Sequence, residues 1–233
     1  MYYLEKIKII WHMPIFKTKN ENFFKVWSSN MAYILGFFAA DGSMTRNKRG
    51  AHFIEFEITD KKLLYQIRNI LGSNHKITKR DRKRSGREKS SYRLQIGSKD
   101  VFGDLIKLGM TPKKSLSIKL PDIPDKYFSH FVRGYFDGDG CVNICTYFRK
   151  DRHRWETVIK AGFTSGSESI LESVKNKLER MHITTGGSLL YHDGYQLRFA
   201  MADSLHLYKF MYIEHNDLCL FRKKVLFEKY FKL

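Results

Sequence analysis

Hydrophobic positions along the chain form two successive series of helix-like and strand-like segments. The first series opens with the apolar segment Met31–Asp41, and the second opens with Phe131–Asp139. Each opening segment is followed by two alternating segments, an amphipathic helix, two further alternating segments and another helix. Alternation of apolar and polar residues indicates strands, and apolar positions three and four residues apart indicate helices. The pattern therefore predicts an internal duplication in which each half has the order αββαββα.

Turn and capping residues set the expected boundaries of these elements. In the first half, we expect a strand that carries Thr45, Asn47 and Arg49 on one face, with the hairpin tip at residues 48–50. The later elements of this half are a strand at Phe53–Thr59, a helix between Asp60 and Gly72, a basic hairpin from Lys76 to Arg93 with a strand at Tyr92–Ile96, and a helix at Val101–Leu108. The second half is expected to contain strands Cys141–Phe148 and Glu156–Thr164, helix Ser167–Met181, strands Ser188–Tyr191 and Tyr195–Phe199, and helices Ser204–Ile213 and Leu218–Phe231.

Three of the four prolines lie between residues 111 and 125, which predicts a linker there. We therefore expect four parts: residues 1–25 as an N-terminal extension, 26–110 as the first half, 111–125 as the linker and 126–233 as the second half. The apolar run at residues 9–16 is too short to span a membrane and contains His12 and Pro14.

Small residues recur every four positions on one face of each opening helix, so they share that face. Two such faces allow helix backbones to approach closely, and we expect contact through Gly36 and Gly134. This packing would bring Asp41 and Asp139 together at the helix ends, where the dipole disfavours negative charge. A cation such as Mg²⁺, which prefers oxygen ligands, would reverse that penalty. The small residues are Ala32, Gly36 and Ala40 in the first helix, and Gly134 and Gly138 in the second.

The formal net charge of +18, from 42 Lys and Arg against 24 Asp and Glu, indicates a nucleic-acid partner. A membrane surface is disfavoured because the basic residues lie in strands and turns, not along one amphipathic helix. The three cysteines have neither disulfide nor zinc spacing. We expect a reducing intracellular location, in the cytoplasm of a prokaryote or in an organelle.

The segments Ile34–Gly42 (ILGFFAADG) and Val132–Gly140 (VRGYFDGDG) resemble the two LAGLIDADG motifs of single-chain homing endonucleases. The resemblance implies an α+β fold in which two pseudo-symmetric halves form a saddle of two antiparallel sheets, with helices on the convex side. It also implies a monomer that cuts a long specific site in double-stranded DNA across the minor groove. Mg²⁺ is the implied cofactor; Mn²⁺ is expected to substitute, and Ca²⁺ to bind without supporting cleavage.

A nucleic-acid-binding protein on the same scaffold, either an intron maturase or a transcription regulator, is the alternative. The aspartate that ends both motifs favours the enzyme, because a protein that only binds DNA could lose it. Met1-Tyr2 at the start and the lack of a terminal Asn disfavour an intein. We expect a free-standing or intron-encoded protein.

By resemblance, the metal ligands are the Asp41 and Asp139 carboxylates, assisted by the backbone carbonyls of Ala40 and Gly138. Asp137 stands where the first motif has Ala39, and we interpret it as a supporting residue in preference to a ligand.

The family usually carries a basic residue near each active site, and such a residue can stabilise charge in the transition state. The segments Pro112–Ser115 and Arg222–Lys224 resemble its usual places. We predict Lys114 and Lys223 as these residues, with Lys113 and Lys224 as the alternatives in each segment.

Outward polar residues on the predicted strands and turns are the candidates for contact with phosphates or base edges. Glu55 and Glu57 share a strand face: they could accept from cytosine amino groups if that face meets DNA, or be ordinary surface carboxylates if it does not. The predicted DNA-binding residues are Thr45, Arg46, Asn47, Lys48, Arg49, Lys76, Thr78, Lys79, Arg80, Arg82, Arg93, Gln95, Asn143, Tyr147, Arg149, Arg152, Arg154, Gln196 and Arg198.

Overall fold

The two halves of the chain fold into the same order of elements. The computed structural model describes residues 16–81, 90–212 and 218–233. The first half contains α1 (Ser29–Asp41), β1 (Gly42–Arg46), β2 (His52–Ile58), α2 (Lys61–Ile70), β3 (Ile77–Arg80), β4 (Ser91–Gly97) and α3 (Lys99–Lys107). The second half contains α4 (Asp125–Asp139), β5 (Gly140–Arg149), β6 (Arg154–Ser165), α5 (Glu168–Arg180), β7 (Ser188–Tyr191), β8 (Tyr195–Phe199) and α6 (Met201–Tyr212), and α7 (Phe221–Phe231) follows it.

The strands form two four-stranded antiparallel sheets, one in each half. Their orders are β1-β2-β4-β3 and β5-β6-β8-β7, which are equivalent when the strands are numbered within each half. The first hairpins also begin in the same register, with Gly42 opposite Phe56 and Gly140 opposite Phe163. The predicted α+β fold with two pseudo-symmetric halves is confirmed.

Each sheet buries one face under helices and leaves the other face polar. In the first sheet, Ile54, Phe56, Leu94 and Ile96 are buried in the core that the helices share. Their strand neighbours point the opposite way because successive side chains in a strand alternate between faces. We call this second side of both sheets the outward face, and it carries most of the predicted DNA-binding residues.

Helices α1 and α4 pack directly against each other and join the two halves. A Cβ atom built on Gly36 would lie 2.1 Å from the carbonyl oxygen of Phe131, and one on Gly134 would lie 2.0 Å from that of Tyr33. No side chain fits at such distances, so both positions require glycine for this approach. As a result, the C-terminal ends of the two helices lie together.

One sequence-based expectation about the first strand was wrong. β1 ends at Arg46, so Asn47 and Arg49 lie in the turn and not on a strand face with Thr45. The Asn47 side chain explains the early end, because its Oδ1 accepts from the backbone N–H groups of Arg49 at 3.0 Å and Ala51 at 2.9 Å. Gly50 completes the turn at φ +82°, a conformation that favours glycine.

The residues before α1 that the structure describes pack against the first half. The backbone N–H of Asn20 donates to the Leu71 carbonyl at 2.9 Å, and Phe24 belongs to the core. Residues 1–15, Arg82 and Ile213 lie outside the described residues. Within the described ranges, no helix has the length and apolar character needed to cross a membrane.

Candidate active site

Asp41 and Asp139 are the last residues of α1 and α4, and glycines turn the chain directly into β1 and β5. Gly138 passes beside the end of α1: a Cβ atom built on it would lie 2.4 Å from the Ala40 Cβ and 3.4 Å from Oδ2 of Asp41. The close packing of the helices therefore sets the carboxylate of the first motif against the backbone of the second.

The surroundings of both carboxylates disfavour their charged form. Desolvation raises the pKa of Asp139 to about 6, and the nearby charge of Asp41 adds to this rise. Asp41 is exposed at the surface, yet its pKa is also raised, chiefly because neighbouring protein atoms displace water; Lys223 and Lys114 oppose the rise. A bound cation would relieve this penalty, because opposite charge favours the ionised carboxylate.

Lys114 and Lys223 are buried next to the carboxylates, with only 5% and 6% of their surface exposed. The Nζ of Lys114 donates to the Gly42 carbonyl at 2.6 Å. That of Lys223 donates to three carbonyls at the end of α4, those of Phe136 at 2.7 Å, Asp137 at 2.9 Å and Gly138 at 3.1 Å. Each Nζ therefore lies at the end of one motif helix.

The charges of both lysines act on both aspartates. Among the charges that oppose the raised pKa of Asp41, Lys223 is the strongest, and for Asp139 the strongest is Lys114. Burial in turn lowers the pKa of each lysine to about 8, while the carboxylates oppose this fall. Both lysines therefore favour the charged form of both aspartates, and Lys223 also acts on the buried Asp137.

The neighbouring lysines are placed differently. Lys113 is exposed and adopts a left-handed backbone with φ 60°. Lys224 pairs with Glu228 at 3.6 Å, one helical turn away. The geometry therefore favours Lys114 and Lys223 over these alternatives as the basic groups of the site.

Asp137 connects three helices behind the site. Its Oδ2 accepts from Tyr33 Oη at 2.7 Å and from the backbone N–H of Leu220 at 2.7 Å, and its Oδ1 accepts from Tyr212 Oη at 3.5 Å. Leu220 is the residue before α7, and no side chain of its own caps that helix. The Asp137 carboxylate takes the place of such a cap, and its negative charge is favourable near the N-terminus of a helix. This geometry agrees with a supporting role.

We expect Asp137→Ala to lower the free energy of unfolding by about 3 kcal/mol, because each buried donor left without an acceptor costs about 1–3 kcal/mol. Asp137→Asn keeps an acceptor oxygen. It also removes a buried charge whose pKa is raised to about 6, so it should be much less destabilising at pH 7. Urea denaturation of the two variants measures the difference. Equal losses would mean that these hydrogen bonds do not stabilise the packing of α7.

Two surface depressions connect the aspartates to the outward faces of the sheets. One is lined by Asp41 together with Glu57, Ser91 and Arg222. The other is lined by Asp139 together with the outward residues Thr164 and Gln196 and the turn at residues 192–194. The carboxylates and the outward strand residues therefore form one continuous surface.

Sequence reasoning missed three residues of this surface. Arg222 lines the depression beside Asp41, and its position directly before Lys223 was the available signal. Thr164 donates to the carbonyl of Asp139 at 3.0 Å, and Lys160 is exposed opposite Asn143. Strand alternation could have identified both of them, because each lies between residues of the core face.

Glu55 and Glu57 lie on the outward face together with the basic residues. Glu55 contacts the guanidinium of Arg93, and Glu57 contacts that of Arg80 at 3.0 Å. Ser91 donates to Glu57 at 2.6 Å. In the first sheet, two of the predicted DNA-binding arginines are therefore paired with carboxylates in the free protein.

The predicted DNA-binding residues that the structure describes fall into three groups by their place on the sheets. Arg46 and Lys79 occupy strand positions on the core face, the same face as Met44 and Ile77. Both side chains are nevertheless exposed, because they lie at strand ends. The residues in or beside turns are Asn47, Lys48, Arg49, Lys76 and Arg152. The residues on outward strand positions are Thr45, Thr78, Arg80, Arg93, Gln95, Asn143, Tyr147, Arg149, Arg154, Gln196 and Arg198.

The oxygen atoms at the helix ends are of the kind that a hard divalent cation prefers as ligands. They are the two carboxylates and the nearby backbone carbonyls, of which that of Gly138 also accepts from Lys223 at 3.1 Å. Within the described residues, no group of three or more His, Cys, Asp or Glu side chains is arranged to hold a metal ion. A cation here would therefore complete its shell with water or phosphate oxygens, which is usual for Mg²⁺.

Comparison with known proteins agrees with the motifs and the fold. Residues 28–107 match the LAGLIDADG-like domain. The LAGLIDADG meganuclease I-AabMI, solved bound to uncleaved DNA, is 15% identical with a TM-score of 0.59, over 86% of this chain and 88% of that chain. The homing endonuclease I-WcaI, bound to its DNA recognition sequence, is 15% identical with a TM-score of 0.58, over 89% and 91%. The LAGLIDADG homing endonuclease I-SmaMI, bound to cleaved DNA, is 14% identical with a TM-score of 0.57, over 89% and 88%.

Identities this low establish the fold alone, whereas the domain match rests on the sequence itself. Residues 28–107 therefore match the LAGLIDADG-like domain by sequence, and the chain as a whole has the fold of the LAGLIDADG homing endonucleases.

Proposed function

We propose that this protein is a site-specific endonuclease that hydrolyses both strands of double-stranded DNA with a divalent metal ion. The observation that carries the proposal is the pair of aspartates at the packed ends of α1 and α4, each close to a buried lysine. A protein that only binds DNA has no need to hold two repelling carboxylates in partly desolvated positions. Two such carboxylates lower the stability of the folded state, and groups with perturbed pKa values of this kind are typical of catalytic sites.

Asp41 and Asp139 would hold the metal, Mg²⁺ by preference, with the carbonyls of Ala40 and Gly138 nearby. The bound ion would supply an activated water and stabilise negative charge on the phosphate. Lys114 and Lys223 would add positive charge on the two sides of the site. Since each is held by backbone carbonyls, little rearrangement is needed when charge develops in the transition state.

The outward faces of the two sheets would bind the DNA on either side of the aspartates. Exposed basic residues there fit phosphates, and Glu55 and Glu57, held by Arg93 and Arg80, can accept hydrogen bonds from cytosine amino groups. In this arrangement the arginines orient the carboxylates as well as contacting DNA. We also propose that one chain suffices for cleavage, because it contains both motifs.

The direct test is incubation with a library of random-sequence duplexes, first to select bound DNA in Ca²⁺ and then to cut it in Mg²⁺. We expect one family of long related sequences to be bound and cut on both strands. Mn²⁺ should replace Mg²⁺, whereas Ca²⁺ should support binding with little cleavage. Specific binding without cleavage in either Mg²⁺ or Mn²⁺ would favour the maturase or transcription-regulator alternative.

Affinity for the selected duplex should fall steeply as salt increases. Each phosphate neutralised by Lys or Arg contributes about −0.9 to the slope of log K against log salt, so six contacts give a slope of about −5. Fluorescence anisotropy at several salt concentrations in Ca²⁺ measures this slope. A slope near zero would show that the basic surfaces do not contact the phosphate backbone.

A further inference from the structure

The first hairpins of the two halves differ in length although they begin in the same register. From Gly42 opposite Phe56, the β1–β2 ladder has five residue pairs and ends with Arg46 opposite His52. From Gly140 opposite Phe163, the β5–β6 ladder has ten pairs and ends with Arg149 opposite Arg154. The second hairpin is thus five pairs longer, which at a rise of about 3.4 Å per residue extends it by about 17 Å. We call the additional part, residues 145–158, the ribbon.

The ribbon is a firmly paired structure. On its inward side, Phe148 and Trp155 pack edge to face with ring centroids 5.6 Å apart. The hydroxyls of Thr146 and Thr157 lie 2.8 Å apart, and Tyr230 of α7 donates to the Thr157 carbonyl at 2.8 Å. A two-stranded segment alone is only marginally stable in water, so these contacts hold the ribbon in line with its sheet.

The outward side of the ribbon continues the face that carries Thr164 and Gln196 beside Asp139. Tyr147 and Arg154 are exposed there, and Arg149 is half-buried between Asp151 at 2.8 Å and Glu156 at 3.2 Å. An aromatic side chain among charged groups on a two-stranded segment has suitable chemistry for DNA, because a β-ribbon fits the major groove. β1–β2 ends before it reaches any equivalent of these positions.

We propose that the ribbon binds DNA and makes the target asymmetric about the cleavage centre. The arm contacted by the second half extends about 5 base pairs further than the arm contacted by the first half, since about 17 Å corresponds to 5 steps of 3.4 Å along B-form DNA. This inference rests on the proposed function, and it assigns the outermost contacts on one side to Tyr147, Arg149 and Arg154.

The test uses the selected duplex, shortened by one base pair at a time from each end, with affinity measured by anisotropy in Ca²⁺. For the wild-type protein, we expect one arm to require about 5 more base pairs than the other before affinity falls tenfold. Arms of equal required length would overturn the inference even if the protein binds and cuts DNA. Failure to bind or cut any duplex would instead overturn the proposed function.

A variant that lacks the outer part of the ribbon identifies which half binds the longer arm. Replacement of residues 147–156 by Asn-Gly would join Thr146 to Thr157, which already face each other, through a two-residue turn that suits this sequence. The variant should lose at least tenfold affinity for the full duplex. It should match the wild-type protein on a duplex whose longer arm has been shortened by about 5 base pairs. Unchanged affinity for the full duplex would overturn the inference.

A double substitution covers the case in which the shortened hairpin fails to fold. Tyr147→Ala with Arg154→Ala should weaken binding of the full duplex and have little effect on the duplex with the shortened arm. The matched control is Tyr65→Ala with Lys62→Ala. It removes one aromatic ring and one cation from α2, which lies on the side of the sheet opposite to the outward face. The control should bind both duplexes as the wild-type protein does. Equal effects of Tyr147→Ala with Arg154→Ala on both duplexes would contradict a contact at the end of the longer arm.

Discussion

Asp41→Asn and Asp139→Asn should each lower the rate of double-strand cleavage by about 10³-fold or more while most of the affinity for DNA remains. Either change would remove a proposed charged ligand of the metal ion, and a metal ion supplies several kcal/mol of stabilisation to the transition state, where each 1.4 kcal/mol is a factor of ten in rate. The basic and polar residues of the outward faces are unaffected, so binding should persist. The measurements are single-turnover cleavage in Mg²⁺ and anisotropy in Ca²⁺.

The same variants should be more stable than the wild-type protein when no metal is present. The pKa of Asp139 is raised to about 6 by desolvation and by Asp41. A carboxyl group with a raised pKa destabilises the folded state at pH values above that pKa. Replacing it by the neutral Asn should therefore raise the melting temperature at pH 7 in EDTA. A gain in stability together with a loss of cleavage is the pattern expected of functional groups held at a cost to the fold.

Asp122→Asn is the matched control for these two variants. Asp122 is exposed in the linker between the halves. The linker precedes the N-terminus of α4, so the substitution removes the same charge away from the C-terminal ends of α1 and α4. It should leave both cleavage and melting temperature close to those of the wild-type protein. Normal cleavage by Asp41→Asn or by Asp139→Asn would show that these residues are not the metal ligands.

The sequence was sufficient to predict the parts of this fold that depend on local pattern. Alternation predicted the strands, and glycine spacing predicted which faces of α1 and α4 are in contact, because side-chain bulk decides how closely two helices approach. The error at Asn47 had a local cause. Its side chain accepts two backbone N–H groups and ends β1, a role that alternation of apolar and polar residues does not reveal.

The polar network around the site could not be predicted because its partners are distant in the sequence. Asp137 meets Tyr33, 104 positions earlier, and the Leu220 amide, 83 positions later. Composition showed an excess of positive charge, but only the fold shows that Glu55 and Glu57 pair with Arg93 and Arg80. These contacts follow from the packing of the two halves and of α7, which motif spacing does not specify.

The positions of Lys114 and Lys223 also depend on tertiary structure, and they indicate what the loss of each lysine should do. Lys114 donates to the Gly42 carbonyl directly after Asp41, whereas Lys223 donates to the Gly138 carbonyl directly before Asp139. Removal of either lysine should therefore weaken one side of the site while leaving both carboxylates in place. An aspartate substitution, in contrast, would disturb the proposed metal ligands near both phosphates and should slow cleavage of both strands.

Lys114→Met and Lys223→Met should each accumulate nicked DNA, with opposite strands left intact in the two variants. Loss of one such electrostatic contact commonly slows the affected step by about 10²- to 10³-fold, and Met keeps most of the side-chain length without the charge. The measurement is single-turnover cleavage of the selected duplex labelled separately on each strand.

Lys113→Met and Lys224→Met serve as controls for these two substitutions. Lys113 is exposed, and Lys224 is paired with Glu228, so both control variants should cut the two strands at nearly the wild-type rates. If Lys114→Met and Lys223→Met slowed the same strand, or slowed neither, the two lysines would not serve separate sides of the site. Strong nicking by a control variant would instead transfer the role to Lys113 or Lys224.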